Sequence, residues 1–231
     1  EISCSLVGSE MCIRDSYMEE LKKQIIHPEI IKEVADELKI VYTPFHGTGN
    51  KPVRRILAEL GFKHVYVVPE QERPDPAFTT LDYPNPEDPK AFTLALKLAK
   101  KVDADIVLAT DPDADRLGIY AKDSKTGEYM PFTGNMSGML IAEYILRERT
   151  ATNRMPVDPV MVSTIVTTNM AAAIAADYNV ELREVLTGFK YIGEQIKWME
   201  QAGKGHYVFG LEESYGCLIG TYACLLYTSP S

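Results

Sequence analysis

Apolar residues recur along the chain with two spacings, and these spacings alternate. Short apolar runs rich in β-branched residues predict buried strands, and longer stretches with one apolar face predict helices. In the first half, the predicted strands are 39–43, 64–68, 104–110 and 117–122, and the predicted helices are two stretches within 17–40, one from Pro52 to Gly61, and 91–101. This strand–helix order implies a parallel sheet with right-handed crossovers.

The second half repeats the pattern after residues 129–132, which we interpret as the crossing into a second unit. The predicted helices there are 139–149, 169–177 and 191–201, and the predicted strands are 160–164, 180–185, 206–209 and 217–222. The sequence therefore predicts an α/β protein of two consecutive α/β/α units, 17–128 and 129–223, with mixed, mostly parallel sheets.

The two ends, 1–16 and 224–231, lack both periodicity and capping signals. Residues 11–16 (MCIRDS) can be back-translated as ATG TGT ATA AGA GAC AGC, and the complementary strand, read in a shifted frame, encodes CLLYT, the residues at 224–228. One nucleotide sequence thus explains both ends, which resemble translated sequencing-adapter DNA. We expect both tails to be foreign. We expect the segment between them to be a fragment of a longer protein, truncated at both ends by the sequencing read.

Composition narrows the class of protein. The chain has 231 residues, 45% hydrophobic and 25% charged, with a formal net charge of −9, which argues against nucleic acid or an anionic membrane as the main partner. No apolar stretch approaches the length that spans a bilayer. Cys4, Cys12 and Cys224 lie in the tails, so Cys217 stands alone, as expected in a reducing cytoplasm without disulfides.

The most informative polar pattern is DPDADR at 111–116, directly after an apolar predicted strand. The carboxylates of Asp111, Asp113 and Asp115 would repel one another there, and a divalent cation removes that cost by accepting all three. Mg²⁺ suits such a site, because it takes a few carboxylates and leaves positions for water or phosphate. Arg116 has a planar fork that fits a phosphate sharing the metal. The pattern therefore predicts a site for phosphoryl transfer.

The residues around this motif do not fit two other known interpretations of it. An EF-hand loop from Asp111 needs Gly at its sixth position and Glu at its twelfth, where this chain has Arg116 and Lys122. A haloacid-dehalogenase-type phosphatase also has Asp-x-Asp after a strand, but it has Thr or Val two residues further, where this chain has Asp115. A plain acidic surface loop, and a phosphatase that uses Asp111 as its nucleophile, remain open at this point.

Four loop motifs, taken together, give the chain a family resemblance. They are TPFHGTG (43–49), the proline-rich PDPAF (74–78) with PNPE (84–87), DPDADR (111–116), and the pair TGFK (187–190) and EESYG (212–216). In this order and spacing they resemble the α-D-phosphohexomutases, the phosphoglucomutase and phosphomannomutase family. The resemblance covers 17–223, the second and third of that family's four domains.

The resemblance implies roles for individual residues. Asp111, Asp113 and Asp115 would hold Mg²⁺, and Arg116 would contact phosphate. The residues expected to contact the sugar phosphate are Thr187, Gly188, Lys190, Glu212 and Ser214. His46 either lines the cleft, with a catalytic role, or caps the following helix, and Phe189 belongs either to the core or to the site.

The resemblance also implies a reaction: a phosphoserine of the first domain gives its phosphoryl group to a hexose phosphate, and the resulting bisphosphate returns the other one. Residues 17–223 contain neither the Thr-Ala-Ser-His-Asn-Pro-like stretch around that serine nor the phosphate-binding loop of the fourth domain, so we expect the fragment alone to lack turnover. Pro112 and Ala114 stand where many members have glycine. Gly216, where some phosphomannomutase-like members have histidine, favours the glucomutase-like and pentomutase-like branch.

The identity of the sugar stays open among glucose, mannose and pentose phosphates. An aspartate-dependent phosphatase and a regulatory module that binds sugar phosphate and metal are the competing classes.

Overall fold

The computed structural model describes residues 14–222. Most of both predicted foreign tails lies outside this range. Residues 14–16 belong to a helix over 14–23, in which Asp15 accepts a hydrogen bond from Arg55 Nη2 at 2.6 Å. Among the described residues, no helix combines the length and the apolar character that a bilayer crossing requires.

The helices and strands alternate through most of the described range. In chain order they are α1 (14–23), α2 (Pro28–Val34), β1 (Lys39–Thr43), α3 (Asn50–Glu59), β2 (His64–Val67), a 3₁₀ turn (Pro89–Phe92), α4 (Thr93–Val102), β3 (Ile106–Thr110), β4 (Leu117–Lys122), β5 (Tyr129–Phe132), α5 (Gly134–Ala151), β6 (Pro159–Thr164), α6 (Met170–Asp177), β7 (Glu181–Val185), α7 (Phe189–Ala202), β8 (His206–Leu211) and β9 (Cys217–Ile219).

The strands form two sheets, which confirms the predicted fold class. The first sheet has the order β2-β1-β3-β4-β5, in which β1 pairs in parallel with β2 and β3, and β4 and β5 continue antiparallel. The second has the order β7-β6-β8-β9, with β9 antiparallel at the edge. In each sheet the central strands are parallel, so their carboxyl ends lie along one edge.

The core of the first unit lies between its sheet and α4. Val41, Val107 and Ala109 alternate to one face of the sheet and are fully buried with Phe92 and Ala99. Helix α4 ends at Val102, and the next residue, Asp103, is its C-cap with a left-handed backbone (φ 56°).

The second sheet is covered on both faces. Helices α5 and α6 bury Leu146 and Ile174 against Phe209 on one face, and α7 buries Ile192 against Val162 on the other. This is the three-layer arrangement that the near-continuous apolar runs of parallel strands require.

Two predictions about element limits were wrong in an informative way. Residues 129–132 are not a crossing, because they form β5, the edge strand of the first sheet, after a turn closed by Gly127 N–H to Asp123 O at 2.8 Å. Helix α5 starts at Gly134, five residues before the predicted start, because Thr133 Oγ1 caps it by accepting from Met136 N–H at 3.2 Å. Smaller differences of one to three residues occur at other ends, including β9, which stops at Ile219.

Candidate functional site

The aspartate-rich loop, 111–116, connects β3 to β4 at the carboxyl end of β3. Asp111 is only 4% exposed, and its Oδ1 accepts hydrogen bonds from the backbone N–H groups of Asp115 and Arg116, both at 3.1 Å. These bonds fix one oxygen of Asp111 in place. We call 111–116 the metal loop.

The structure brings the three predicted metal ligands together. One carboxylate oxygen from each of Asp111, Asp113 and Asp115 lies within 4.8 Å of the others. Burial, and next the side-chain contact with Asp115, raises the pKa of Asp111 above its usual range. Asp115 Oδ1 is buried and has no hydrogen-bond partner. Three converging hard oxygen donors, one of them without a hydrogen-bond partner, fit a divalent cation such as Mg²⁺.

Arg116 lies against the same carboxylates. Its Nε is 3.3 Å from Asp111 Oδ2 and 3.7 Å from Asp115 Oδ1, and its Nη1 is 3.8 Å from Glu87 Oε1 in the proline-rich segment. None of these contacts is a short bidentate pair of the kind that holds a guanidinium most strongly. The guanidinium is therefore placed beside the metal loop with loose ion pairs.

The loop 43–49 packs directly against the metal loop. Thr48 N–H donates to Pro112 O at 2.8 Å, and a Cβ on Gly47 would lie 2.4 Å from Pro112 Cα. Gly47 is therefore required for this close approach. Ala114, in the loop itself, has a left-handed backbone (φ 62°), which explains why glycine is suited to that position.

Both ring nitrogens of His46 contact the proline-rich segment. Its Nδ1 is 2.7 Å from Arg73 O and its Nε2 is 2.8 Å from Thr80 Oγ1, so the ring joins the loop 43–49 to the proline-rich segment. The alternative of a helix cap was wrong, because Gly49 is the N-cap of α3 and no side chain caps it.

Residues 212–216, which the sequence predicts to bind sugar and which we call the sugar loop, follow β8 and face the start of α7. Glu212 is 8% exposed, and its Oε1 accepts from Gly188 N–H at 2.6 Å. Burial raises the pKa of Glu212. Ser214 Oγ is 3.4 Å from Glu212 Oε2, so both predicted hydroxyl-binding side chains are on the same side of the loop. The backbone of Gly188 has φ 123°, a conformation that other residues rarely adopt.

The remaining predicted sugar residues lie at the start of α7. Thr187 and Lys190 are exposed, and Lys190 Nζ lies 4.7 Å from the ring centroid of Tyr191. Phe189 packs on Gly216, where an added Cβ would lie 2.4 Å from its ring. This contact gives Phe189 a packing role.

The metal loop and the sugar loop are neighbours. Leu117 N–H, directly after Arg116, donates to Tyr215 O at 3.1 Å. The negative charge of Asp115 is close enough to contribute to the raised pKa of Glu212. Thr164 Oγ1 also donates to Glu213 Oε2 at 2.9 Å, a contact that was not predicted because it joins positions far apart in the sequence.

Comparison with known families matches the chain in two adjoining parts. Residues 15–126 match the model for phosphoglucomutase/phosphomannomutase, alpha/beta/alpha domain II, and residues 133–225 match the model for domain III.

Two similar bacterial proteins are phosphoglucomutases. Phosphoglucomutase from Staphylococcus epidermidis (strain ATCC 12228 / FDA PCI 1200) is 40% identical over 182 residues, 79% of this chain and 32% of the relative. Phosphoglucomutase from Staphylococcus aureus (strain USA300) is 36% identical over 206 residues, 89% of this chain and 35% of the relative. The chain spans about a third of the length of the curated relatives it matches.

Solved structures share the fold at low identity. A putative phosphomannomutase from Thermus thermophilus superposes with a TM-score of 0.66 at 22% identity, covering 90% of this chain and 42% of that one. A variant of N-acetylphosphoglucosamine mutase from Aspergillus fumigatus, in complex with glucose 1,6-bisphosphate, gives a TM-score of 0.51 at 16% identity, covering 87% of this chain and 38% of that one. The chain therefore belongs to the phosphoglucomutase/phosphomannomutase family, of which it carries domains II and III.

Proposed function

We propose that this chain supplies the metal-binding and sugar-recognition parts of a Mg²⁺-dependent phosphosugar mutase of the phosphoglucomutase type. The observation that supports this proposal best is the joining of the two loops: a cluster of three carboxylates with an arginine lies one backbone hydrogen bond, Leu117 to Tyr215, from a glutamate and a serine. This places groups suited to phosphate beside groups suited to hydroxyls.

Each side chain has a role in this proposal. Asp111, Asp113 and Asp115 hold Mg²⁺, which when bound neutralises charge on the phosphoryl oxygens. Arg116 exchanges its loose ion pairs for a phosphate contact. The residues that bind and orient the sugar phosphate are Glu212, Ser214, Thr187, Gly188 and Lys190.

His46 acts as a positioning residue in this proposal. Because its two ring nitrogens contact Arg73 O and Thr80 Oγ1, we assign it to holding the proline-rich segment near Arg116 and not to proton transfer.

The reaction that fits these parts is a transfer in two steps. The P–O bond to a serine breaks as a new P–O bond forms to a sugar hydroxyl, whose proton ends on the serine oxygen. In the second transfer the P–O bond between the sugar and its other phosphate breaks as a new P–O bond forms to the serine, whose proton returns to the sugar oxygen. We propose that the serine and a further phosphate-binding loop belong to parts of the full-length polypeptide outside this chain, and that the chain alone has no turnover.

The substrate that we propose is glucose phosphate, with its bisphosphate as the intermediate. The two staphylococcal relatives are phosphoglucomutases, and the bisphosphate bound to the fungal neighbour is that of glucose. Mannose and pentose phosphates are the alternatives within the family. We place the protein in the cytoplasm, on the ground that Cys217 is the one cysteine of 17–223.

A phosphatase with Asp111 as its nucleophile is disfavoured by the geometry. Asp111 is 4% exposed, and one of its oxygens already accepts two backbone N–H groups. An attacking carboxylate needs an accessible oxygen in line with the phosphorus, and no described feature favours that arrangement here.

A chimera tests the proposed function. Residues 17–222 replace the matching segment of Staphylococcus aureus phosphoglucomutase, and conversion of glucose 1-phosphate to glucose 6-phosphate is measured with Mg²⁺. Asp113→Ala should lower kcat at least about 100-fold, whereas Asp36→Ala, which removes an exposed partner of Lys63, should not change it. An active chimera in which Asp113→Ala keeps full activity would contradict the metal assignment. A stably folded chimera without any activity would contradict the mutase assignment.

A further inference from the structure

Two adjacent glutamates in the sugar loop point to different surroundings. Glu212 lies beside Gly188 and Ser214, whereas the carboxylate of Glu213 lies against the end of β6. We propose that Glu213 is a positioning residue that seats the sugar loop on β6, an inference that rests on the proposed function for its consequence in sugar binding.

The contact to β6 is a chain of three side chains. Thr164 Oγ1 donates to Glu213 Oε2 at 2.9 Å, and Thr164 Oγ1 lies 2.9 Å from Thr167 Oγ1. A hydroxyl has one proton, so Thr164 uses it for Glu213 and accepts from Thr167. Thr164 is 0% exposed and Thr167 is 7% exposed, so this charge-assisted bond is sheltered from water.

The backbone of the same residues rests on a second support. A Cβ on Gly134, the first residue of α5, would lie 1.8 Å from Glu213 O and 2.7 Å from Tyr215 N. The sugar loop is therefore held by its side chain on β6 and by its backbone on α5.

Glu213 stands between the two contacts that join the sugar loop to its neighbours. On one side Glu212 accepts from Gly188 N–H at 2.6 Å, and on the other Tyr215 O accepts from Leu117 N–H at 3.1 Å. A shift of Glu213 would move both contacts, so its bond to Thr164 sets the distance from the sugar loop to the start of α7 and to the metal loop.

Four single variants of the 231-residue chain, and the double variant Glu213→Ala/Thr164→Val, test this inference. Glu213→Ala and Thr164→Val remove the two ends of the bond, Glu213→Gln keeps an oxygen that can accept from Thr164, and Glu194→Ala on the exposed surface of α7 is the matched control. Affinity for glucose 1-phosphate with Mg²⁺ is measured by calorimetry, and hydrogen exchange at the amides of Gly188 and Leu117 is measured without ligand.

We expect Glu213→Ala and Thr164→Val each to weaken binding about 10-fold, and the double variant to weaken it no further. Exchange at both amides should accelerate about 10-fold in these variants. Glu213→Gln and the control should stay within about 3-fold of the wild type in both measurements.

The two measurements separate this inference from the proposed function. If the wild type does not bind the sugar phosphate, the proposed function fails, and the exchange rates alone decide the role of Glu213. Unchanged exchange in Glu213→Ala and Thr164→Val overturns the positioning role. It is also overturned if Glu213→Gln loses binding while Thr164→Val keeps it, because Glu213 would then contact the ligand directly.

Discussion

The metal loop and the sugar loop lie side by side, but their acidic residues are treated in opposite ways. In the metal loop, three carboxylates converge within 4.8 Å, and one oxygen of Asp115 is buried without a hydrogen-bond partner. In the sugar loop, Glu212 and Glu213 each accept a hydrogen bond from the framework, from Gly188 N–H and Thr164 Oγ1.

The difference separates two kinds of recognition. Concentrated negative charge attracts a cation, and the loop tolerates that charge only because backbone N–H groups and Arg116 offset part of it. A carboxylate that is already bonded to the protein has a fixed direction, which suits the sugar recognition that we propose. The metal loop is therefore suited to bind by its concentrated charge, and the sugar loop by the fixed positions of its carboxylates.

The largest expected effect tests whether the cation binds at the metal loop and not at the sugar loop. Asp115→Asn replaces one of the three proposed charged ligands by a neutral amide, and the affinity of the chain for Mg²⁺ should fall about 10- to 100-fold. Glu212→Gln, in the sugar loop, should change it less than about 3-fold. Calorimetric titration with MgCl₂ measures both variants, and equal losses would show that the two loops share one ion site.

The close packing of each loop against its support is tested at two glycines, Gly47 under the metal loop and Gly134 under the sugar loop. A Cβ on Gly47 would meet Pro112 Cα at 2.4 Å, and one on Gly134 would meet Glu213 O at 1.8 Å. Gly47→Ala and Gly134→Ala should each lower the free energy of unfolding by about 1–3 kcal/mol in urea titrations.

Gly203→Ala is the control for backbone conformation alone, since Gly203 has φ 59° and nothing within 4 Å of an added Cβ. It should cost about 1 kcal/mol. A smaller loss at Gly134 than at Gly203 would contradict the tight seat of the sugar loop.

A smaller effect is expected within the metal loop itself. Ala114→Gly relieves a left-handed backbone (φ 62°) and should raise the free energy of unfolding by about 0.5–1 kcal/mol, because relieved strain exceeds the added flexibility of the unfolded chain. The same urea titrations measure it, and a loss of stability would mean that the Ala114 methyl group packs productively.

The smallest effect concerns a second junction of the two units, away from both loops. His27 Nδ1 lies 2.7 Å from Glu29 Oε1 and its Nε2 lies 2.8 Å from Glu148 Oε2 in α5, and both nitrogens donate to these carboxylates only when the ring is protonated to an imidazolium. Tyr144 packs edge-on to the ring, Arg147 donates to Glu148 Oε1, and the charge of Arg154 acts on Glu29. The hydrogen bonds to Glu29 and then Glu148 raise the pKa of His27.

The sign of the pH dependence follows from that direction. The raised pKa of His27 means that its ion pairs add to the free energy of unfolding. This contribution is fully present below the pKa of the unfolded state, about 6.5, and is lost as pH rises through the pKa of the folded state. The stability difference between the wild type and His27→Gln should therefore shrink as pH rises from about 6 to 9. A difference that grows over this interval would contradict the imidazolium assignment.

Local patterns predicted much of this arrangement, because they depend on residues close in sequence. The limits of β1 and β4 were predicted to the residue, and the convergence of Asp111, Asp113 and Asp115 followed from a spacing of two at a strand end. The edge strand β5 was missed, since YMPF is short, half-exposed and contains Pro131. The Thr164–Glu213 contact was missed because only the folded sheet brings those residues together.

The hydrogen bond from Leu117 N–H to Tyr215 O uses no side-chain atom. Alanine scanning at either position leaves donor and acceptor in place, so that method is blind to this link. Side chains on both sides are free to diverge among relatives while the spacing of the two loops persists. An ester in place of the Leu117 amide would delete the donor without changing the side chain, and would reveal how far the two units move independently.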